Sequence, residues 1–223
     1  MAGTFIGVSV GPGDPELMTV KAVNRIKESE VIAFSLGEKA VAFNIAQKLI
    51  PEIDEKTLLP IDMPMSTDVD SLESAHNKAA REIEELLSKN HDVVFLVLGD
   101  ATIYSTFMYL SEIVKEHGYE TEIVSGVTSF CAAAALANMS LCMWDKKLHV
   151  IPAKHGIPND FNEGENYILM KVGKRIKEIC SKVQSMNRTV ILVENCGMEN
   201  ERVYEGLENM PEEAGYYSIM IIR

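Results

Sequence analysis

Three short segments carry the residues best suited to chemistry: Ser9-Val10-Gly11-Pro12-Gly13-Asp14-Pro15, Gly99-Asp100-Ala101-Thr102-Ile103-Tyr104-Ser105-Thr106 and Ser125-Gly126-Val127-Thr128-Ser129. Each follows an apolar, strand-like run and leads into a segment of helical periodicity, the position at which open α/β folds bind ligands. Glycine lets backbone amides and carbonyls come close to a bound molecule, while a carboxylate and hydroxyls supply directed hydrogen bonds. A dinucleotide is disfavoured, because after Gly11 and Gly13 the third glycine of the fingerprint is Glu16, and Asp14 would repel a pyrophosphate. Neither the G-x-x-x-x-G-K phosphate loop nor the G-x-S-x-G serine elbow occurs. The set suits a cofactor without phosphate, a description that S-adenosylmethionine meets. Any one loop reads equally well as a tight turn or helix cap; three at successive strand ends do not.

The elements that must position these loops follow from periodicity. Strands are expected at Phe5–Val10, Val31–Phe34, Lys56–Leu59, Val93–Leu98, Glu120–Val124, His149–Pro152, Tyr167–Lys171, Thr189–Val193 and Tyr217–Ile222, with helices in most gaps. That alternation predicts an α/β fold with a mainly parallel sheet. Asp14 is placed to cap the first helix, with Pro15 and Glu16 in its first turn and Leu17, Val20, Val23 and Ile26 as its apolar stripe. A second helix runs through Ala75, Ala79, Ile83, Leu86 and Leu87, leaving Glu82, Glu84 and Glu85 wet. His117-Gly118-Tyr119-Glu120 ends a helix and opens a strand, which sets the expected domains at residues 1–118 and 119–223.

Composition narrows the partners. With 33 acidic and 21 basic side chains, the net charge of -12 opposes attraction to nucleic acid or anionic membrane. The longest apolar run, Val93 to Leu98, is far shorter than the roughly 20 residues of a membrane span. Met1 to Val10 lacks a basic leader, so a cytoplasmic protein is expected. Cys131, Cys142, Cys180 and Cys196 are widely spaced, with no C-x-x-C and no histidine pair at ligand spacing, so they read as reduced core thiols and no metal site is expected.

Taken together, the motifs resemble the tetrapyrrole methylase family. They are G-P-G-D-P-E-L-M-T at Gly11 to Thr19, L-G-D-A-T-I-Y-S-T-F at Leu98 to Phe107, S-G-V-T-S-F-C-A-A-A at Ser125 to Ala134, I-L-M-K at Ile168 to Lys171, and the closing Y-Y-S-I-M-I-I-R. The first and third are shared across the family, one branch of which methylates diphthamide on a protein. The Tyr104-Ser105-Thr106-Phe107 extension and the last strand look like the branch acting at C20 of precorrin-2 or cobalt-factor II in cobalamin synthesis. Three positions depart from the pattern: Ser9 where glycine is usual, Ala101 where proline often follows Gly-Asp, and Ser125 where proline often precedes the glycine.

The resemblance implies two α/β domains with S-adenosylmethionine folded into the cleft between them, a tetrapyrrole acceptor and a homodimer. Its donor contacts fall on Pro12, Gly99, Asp100, Ile103, Thr128, Ser129 and Met170. Tyr104, just beyond the donor loop, is the candidate to orient the macrocycle or relay a proton, with a half-buried core tyrosine as the plain alternative. His155 is a second candidate, and Asp100 could instead be a helix cap. An acceptor rich in carboxylates needs local positive charge, which the acidic chain offers at Lys146 and Lys147, at Lys154 with His155, and at Lys171 with Lys174 and Arg175. Lys174 and Lys177 are expected to be solvated. Met63 with Met65 and Met139 with Met143 read as core filler, or as an apolar wall for a flat ring. Alternatives that stay open are a sister methylase acting at another carbon and a protein that binds cofactor or tetrapyrrole without catalysis.

Overall fold

The computed structural model describes residues 2–37, 40–64 and 68–223; Met65 therefore lies outside the described residues. The chain forms two compact units, Met1–Thr128 and Ser129–Arg223. The division falls after the expected 118/119 boundary because the strand that opens at Thr121 pairs with the first strand and so belongs to the first unit.

The first unit is a parallel sheet of β1 (Phe5–Ser9), β2 (Val31–Ser35), β3 (Thr57–Ile61), β4 (Val93–Val97) and β5 (Thr121–Val124), in the order β3-β2-β4-β1-β5. The connections carry the helices α1 (Val20–Glu28), α2 (Val41–Leu49), α3 (Val69–Leu87) and α4 (Thr106–Glu116). Successive strand residues point to opposite faces. Ile6, Val8, Ile32, Val94 and Leu96 therefore pack with Ala22 and Ile26 of α1 and Phe43 of α2. Phe5, Val31, Val93, Phe95 and Val97 pack on the other side with Ala79 and Ile83 of α3 and Phe107 and Leu110 of α4. Burial on both faces is why β1 and β4 are continuous apolar runs. The topology has one consequence for function: β4, β1 and β5 are neighbours pointing the same way, so the three glycine-bearing loops leave one edge of the sheet side by side.

Two local expectations change. Asp14 accepts from Glu16 N at 2.9 Å, but it caps only a 3-10 turn, Pro15–Leu17. Helix α1 starts later, where Thr19 Oγ1 accepts from Ala22 N at 3.1 Å, and this phase leaves Val20 77% exposed while Ala22 and Ile26 are buried. Glu84 is not wholly wet either, since its carboxylate lies 2.7 Å from Nδ1 of His117.

The second unit contains α5 (Ser129–Leu136), β6 (Leu148–Pro152), β7 (Asn166–Met170), α6 (Ile176–Val183), β8 (Val190–Glu194), β9 (Arg202–Glu205) and β10 (Ser218–Ile222). The strand order is β6-β7-β10-β8-β9. Only β6 and β7 are parallel, so the expected mainly parallel arrangement holds for the first sheet and not for the second. For β8 and β9 the reason is connection length: a parallel return needs a crossover of a dozen or more residues, and residues 195–201 cannot supply one. Helix α6 covers one face, where Ile176, Ile179 and Val183 meet Leu169, Leu192 and Met220. Among the described residues, no helix is long and apolar enough to cross a membrane, and no group of three His, Cys, Asp or Glu side chains could hold a metal ion.

Candidate functional site

The three loops of the first unit are knitted together by their own backbone. Val10 N donates to Val97 O at 2.9 Å, extending the β1 to β4 pairing past the strand ends. Gly11 and Gly99 then pair with each other, Gly99 N to Gly11 O at 2.7 Å and Gly11 N to Gly99 O at 3.3 Å. Both turn through left-handed backbone, φ +75° and +76°, which side chains resist. The third loop closes on the first two at Gly126, where a Cβ would sit 2.5 Å from Ser9 Cβ and 2.8 Å from Gly99 O.

Asp100 is the tie. One carboxylate oxygen accepts from Thr102 N at 2.8 Å and from the Thr102 hydroxyl, and the other accepts from Gly126 N at 2.7 Å. Burial opposes its ionisation, but the hydrogen bonds from Thr102 and Gly126 outweigh that penalty and hold the carboxyl below its ordinary value. Asp100 therefore links the second loop to the third with both oxygens engaged inside the chain. The plain helix-cap reading does not describe it, because α4 begins only at Thr106.

Two departures from the family pattern explain each other here. Ser9 is fully buried, and its Oγ accepts from Ala101 N at 2.9 Å. A glycine at position 9 would offer no acceptor, and a proline at 101 would have no N–H to satisfy. The pair replaces one compatible solution by another. Sequence reading assigned no role to Ser9 or Thr102; departure from a pattern was the signal at Ser9, and Thr102 offered none beyond its place in the second loop. Ser125 contributes its carbonyl, which accepts from Thr19 Oγ1 at 3.4 Å.

Of the expected donor contacts, the structure brings Pro12, Gly99, Asp100 and Ile103 to this edge, with Thr128 at the end of the third loop. Pro12 is buried beside Gly11, and Ile103 N donates to Asp100 O at 3.1 Å. The Thr128 Oγ1 is buried without a hydrogen-bond partner, one of two such side-chain atoms among the described residues. An orphaned hydroxyl costs free energy unless a ligand satisfies it, so the site fits a molecule that brings its own polar groups. Ser129 opens α5 in the second unit, and Met170 ends β7, partly buried. Tyr104 is 50% exposed and holds left-handed backbone, φ +49°, so it is not a core residue.

The candidate cations of the second unit separate into two groups. Lys147 pairs with Glu165 at 3.1 Å, Arg175 with Glu178 at 3.0 Å and Lys177 with Glu212 at 3.1 Å. Lys177 is solvated as expected, its pair with Glu212 lying on the surface. Lys146, Lys154, His155 and Lys174 are exposed. Glu165 also receives Asn162, His149 and Tyr167, and the hydrogen bonds from Asn162, Lys147 and His149 hold its carboxyl down at about 2. Met63 packs against the first unit's core, and Met143 is 51% exposed.

A family profile described as Tetrapyrrole (Corrin/Porphyrin) Methylases matches residues 4–210. The chain belongs to this family. Among relatives of these tetrapyrrole methylases, a protein of Methanocaldococcus jannaschii named "Probable cobalt-precorrin-2 C(20)-methyltransferase" is 33% identical, covering 97% of this chain and 94% of the relative. A Sinorhizobium protein named "Precorrin-2 C(20)-methyltransferase" is 28% identical over 99% of this chain and 95% of its own length. The solved uroporphyrin-III C-methyl transferase of Thermus thermophilus, complexed with S-adenyl homocysteine, superposes with a TM-score of 0.71 at 21% identity, covering 99% of this chain and 97% of that one. The methylase fold is therefore shared.

Proposed function

We propose that this tetrapyrrole methylase transfers a methyl group from S-adenosylmethionine to C20 of precorrin-2 or of its cobalt-bearing counterpart. The observation that carries the reading is the joining of three loops, none with a phosphate-loop motif, at Asp100 and Gly126 into one surface ending at an unsatisfied Thr128 hydroxyl. The names of the relatives, which agree on C20 and differ on cobalt, supply the acceptor. The coupling of Ser9 with Ala101 favours a working loop over a decayed, non-catalytic one.

Bound, the sulfonium supplies a methyl group already activated for transfer, with a neutral thioether as leaving group. The chain's task is then alignment and exclusion of water rather than acid-base power. Pro12, Gly99 and Ile103 offer backbone and apolar contact to the donor, Thr128 a hydroxyl, and Asp100 keeps the loops in register. Ser129 and Met170 stand as further donor contacts, each testable by its own substitution. Tyr104 is assigned to the acceptor, to orient the ring or to relay the proton that C20 gives up. A homodimer acting in the cytoplasm completes the proposal, and light scattering reports its mass.

Incubation with labelled S-adenosylmethionine and each acceptor tests the function, with the new methyl located by NMR. Label at C20 is expected; label at another carbon assigns a sister activity, and label only on other family acceptors overturns the reading. Tyr104→Phe is expected to lower kcat roughly tenfold or more, within the range of lost acid-base assistance, while donor affinity stays the same. An equal loss of both would return Tyr104 to a packing role.

A further inference from the structure

Lys171 follows Met170 at the end of β7 and adopts left-handed backbone, φ +59°, a conformation that suits glycine and resists a long side chain. The turn is held from both sides. Lys171 N donates to Ser218 O at 2.8 Å, and Val172 N donates to the buried Ser218 Oγ at 3.0 Å. A lysine where the backbone asks for glycine implies work for the side chain. Its Nζ lies 5.0 Å from the centroid of the Tyr216 ring.

That contact orients the ammonium without neutralising it, because an aromatic face carries a quadrupole and no net charge. Unlike Lys147, Arg175 and Lys177, Lys171 has no carboxylate within ion-pair distance among the described residues. The parallel register Pro152 to Met170 sets the turn bearing exposed Lys154 at the adjacent strand end, so two cations without an ion-pair partner among the described residues share one edge of the second sheet. In a chain of net charge -12, such an edge is a selective place for an anion.

We propose that Lys171, steered by Tyr216, binds a carboxylate of the tetrapyrrole acceptor and helps set specificity for a polycarboxylate ring. This rests on the methyl-transfer reading above for its acceptor. The test compares wild type with Lys171→Met, Lys171→Gly and Lys171→Arg in two measurements: steady-state methylation of the acceptor, and equilibrium binding of uroporphyrin III as a polycarboxylate probe. Lys171→Met is expected to raise acceptor KM and weaken uroporphyrin binding roughly tenfold or more, the scale of one charged hydrogen bond, with kcat and S-adenosylhomocysteine affinity unchanged. Lys171→Arg should recover most of the loss. Lys171→Gly should lose as much acceptor affinity while its Tm rises, since glycine relieves the left-handed turn.

Unchanged KM and uroporphyrin affinity in a folded Lys171→Met protein would overturn the proposal, as would loss of donor and ring affinity together in all three variants. The two readings fail separately. A wild type that methylates no tetrapyrrole, yet binds uroporphyrin through Lys171, would remove the enzymatic reading and support the anchor.

Discussion

The two sheets each have five strands, but their functional edges are built by different means. In the first unit, parallel pairing sends three loops out together, and backbone groups make most of the bonds that join them: Gly11 to Gly99, Val10 to Val97, and Gly126 to the carboxylate of Asp100. In the second unit, β7 ends in a single strained lysine whose ammonium rests on a tyrosine ring, with another cation at the next strand end. The first edge is shaped by where a Cβ cannot go, and the second is defined by an ammonium that meets no carboxylate among the described residues. An edge of the first kind suits a donor of constant shape, and an edge of the second kind suits a large, anionic acceptor held at its rim.

This contrast breaks most severely at Gly126. Gly126→Ala forces a methyl to 2.5 Å from Ser9 Cβ and 2.8 Å from the Gly99 carbonyl oxygen, and overpacking against both costs about 3 kcal/mol or more, so S-adenosylhomocysteine affinity and Tm should both fall. Calorimetry and thermal unfolding check this, and an unaltered variant would show that the loops separate freely. Asp100→Asn comes next, with a loss of roughly 1.5–3 kcal/mol in unfolding free energy near pH 7. Because the folded carboxyl lies below its ordinary value of 3.8, its stabilisation is complete above that value and disappears as pH falls through the lower folded value. The gap between wild type and variant, followed by denaturant titration, should therefore close only in acid.

A smaller effect sharpens the first half of the comparison. Ser9→Gly and Ala101→Pro each remove one partner of a buried hydrogen bond and should each cost about 1 kcal/mol. The double variant should recover about 0.5 kcal/mol or more of the summed loss, since both changes delete the same bond. Strict additivity would mean that the two departures are unrelated. The mildest expectation concerns Glu165 in the second unit. Its carboxyl sits at about 2, below its ordinary 4.5, so its contribution is present above 4.5 and is lost as pH falls toward 2. Glu165→Gln should lower Tm slightly at pH 7, where the wild-type carboxylate is ionised, and the gap should close as pH falls from 4.5 toward 2.

Legibility followed burial. Val93–Leu98 was readable as a strand because both faces of β4 are covered, which leaves an unbroken apolar run. Strand β9 was not anticipated, since Arg202, Val203 and Glu205 are exposed and an edge strand with little to bury has no hydrophobic period. The start of α1 was misplaced because Asp14 and Thr19 are both good caps, and local sequence does not decide which turn continues as a helix.

Residue types and spacing alone determined the α/β alternation, the three glycine-hinged loops and the exclusion of phosphate-binding loops, because hydrophobic period and backbone permissiveness are local properties. Tertiary structure decided what local properties cannot: that Asp100 spends both oxygens on Thr102 and Gly126, that Ser9 answers for the missing proline at 101, and that Lys171 lies over the Tyr216 ring. Each depends on atoms brought together from distant parts of the chain, and the hydrogen bonds and charges that result exist only once the sheets have formed.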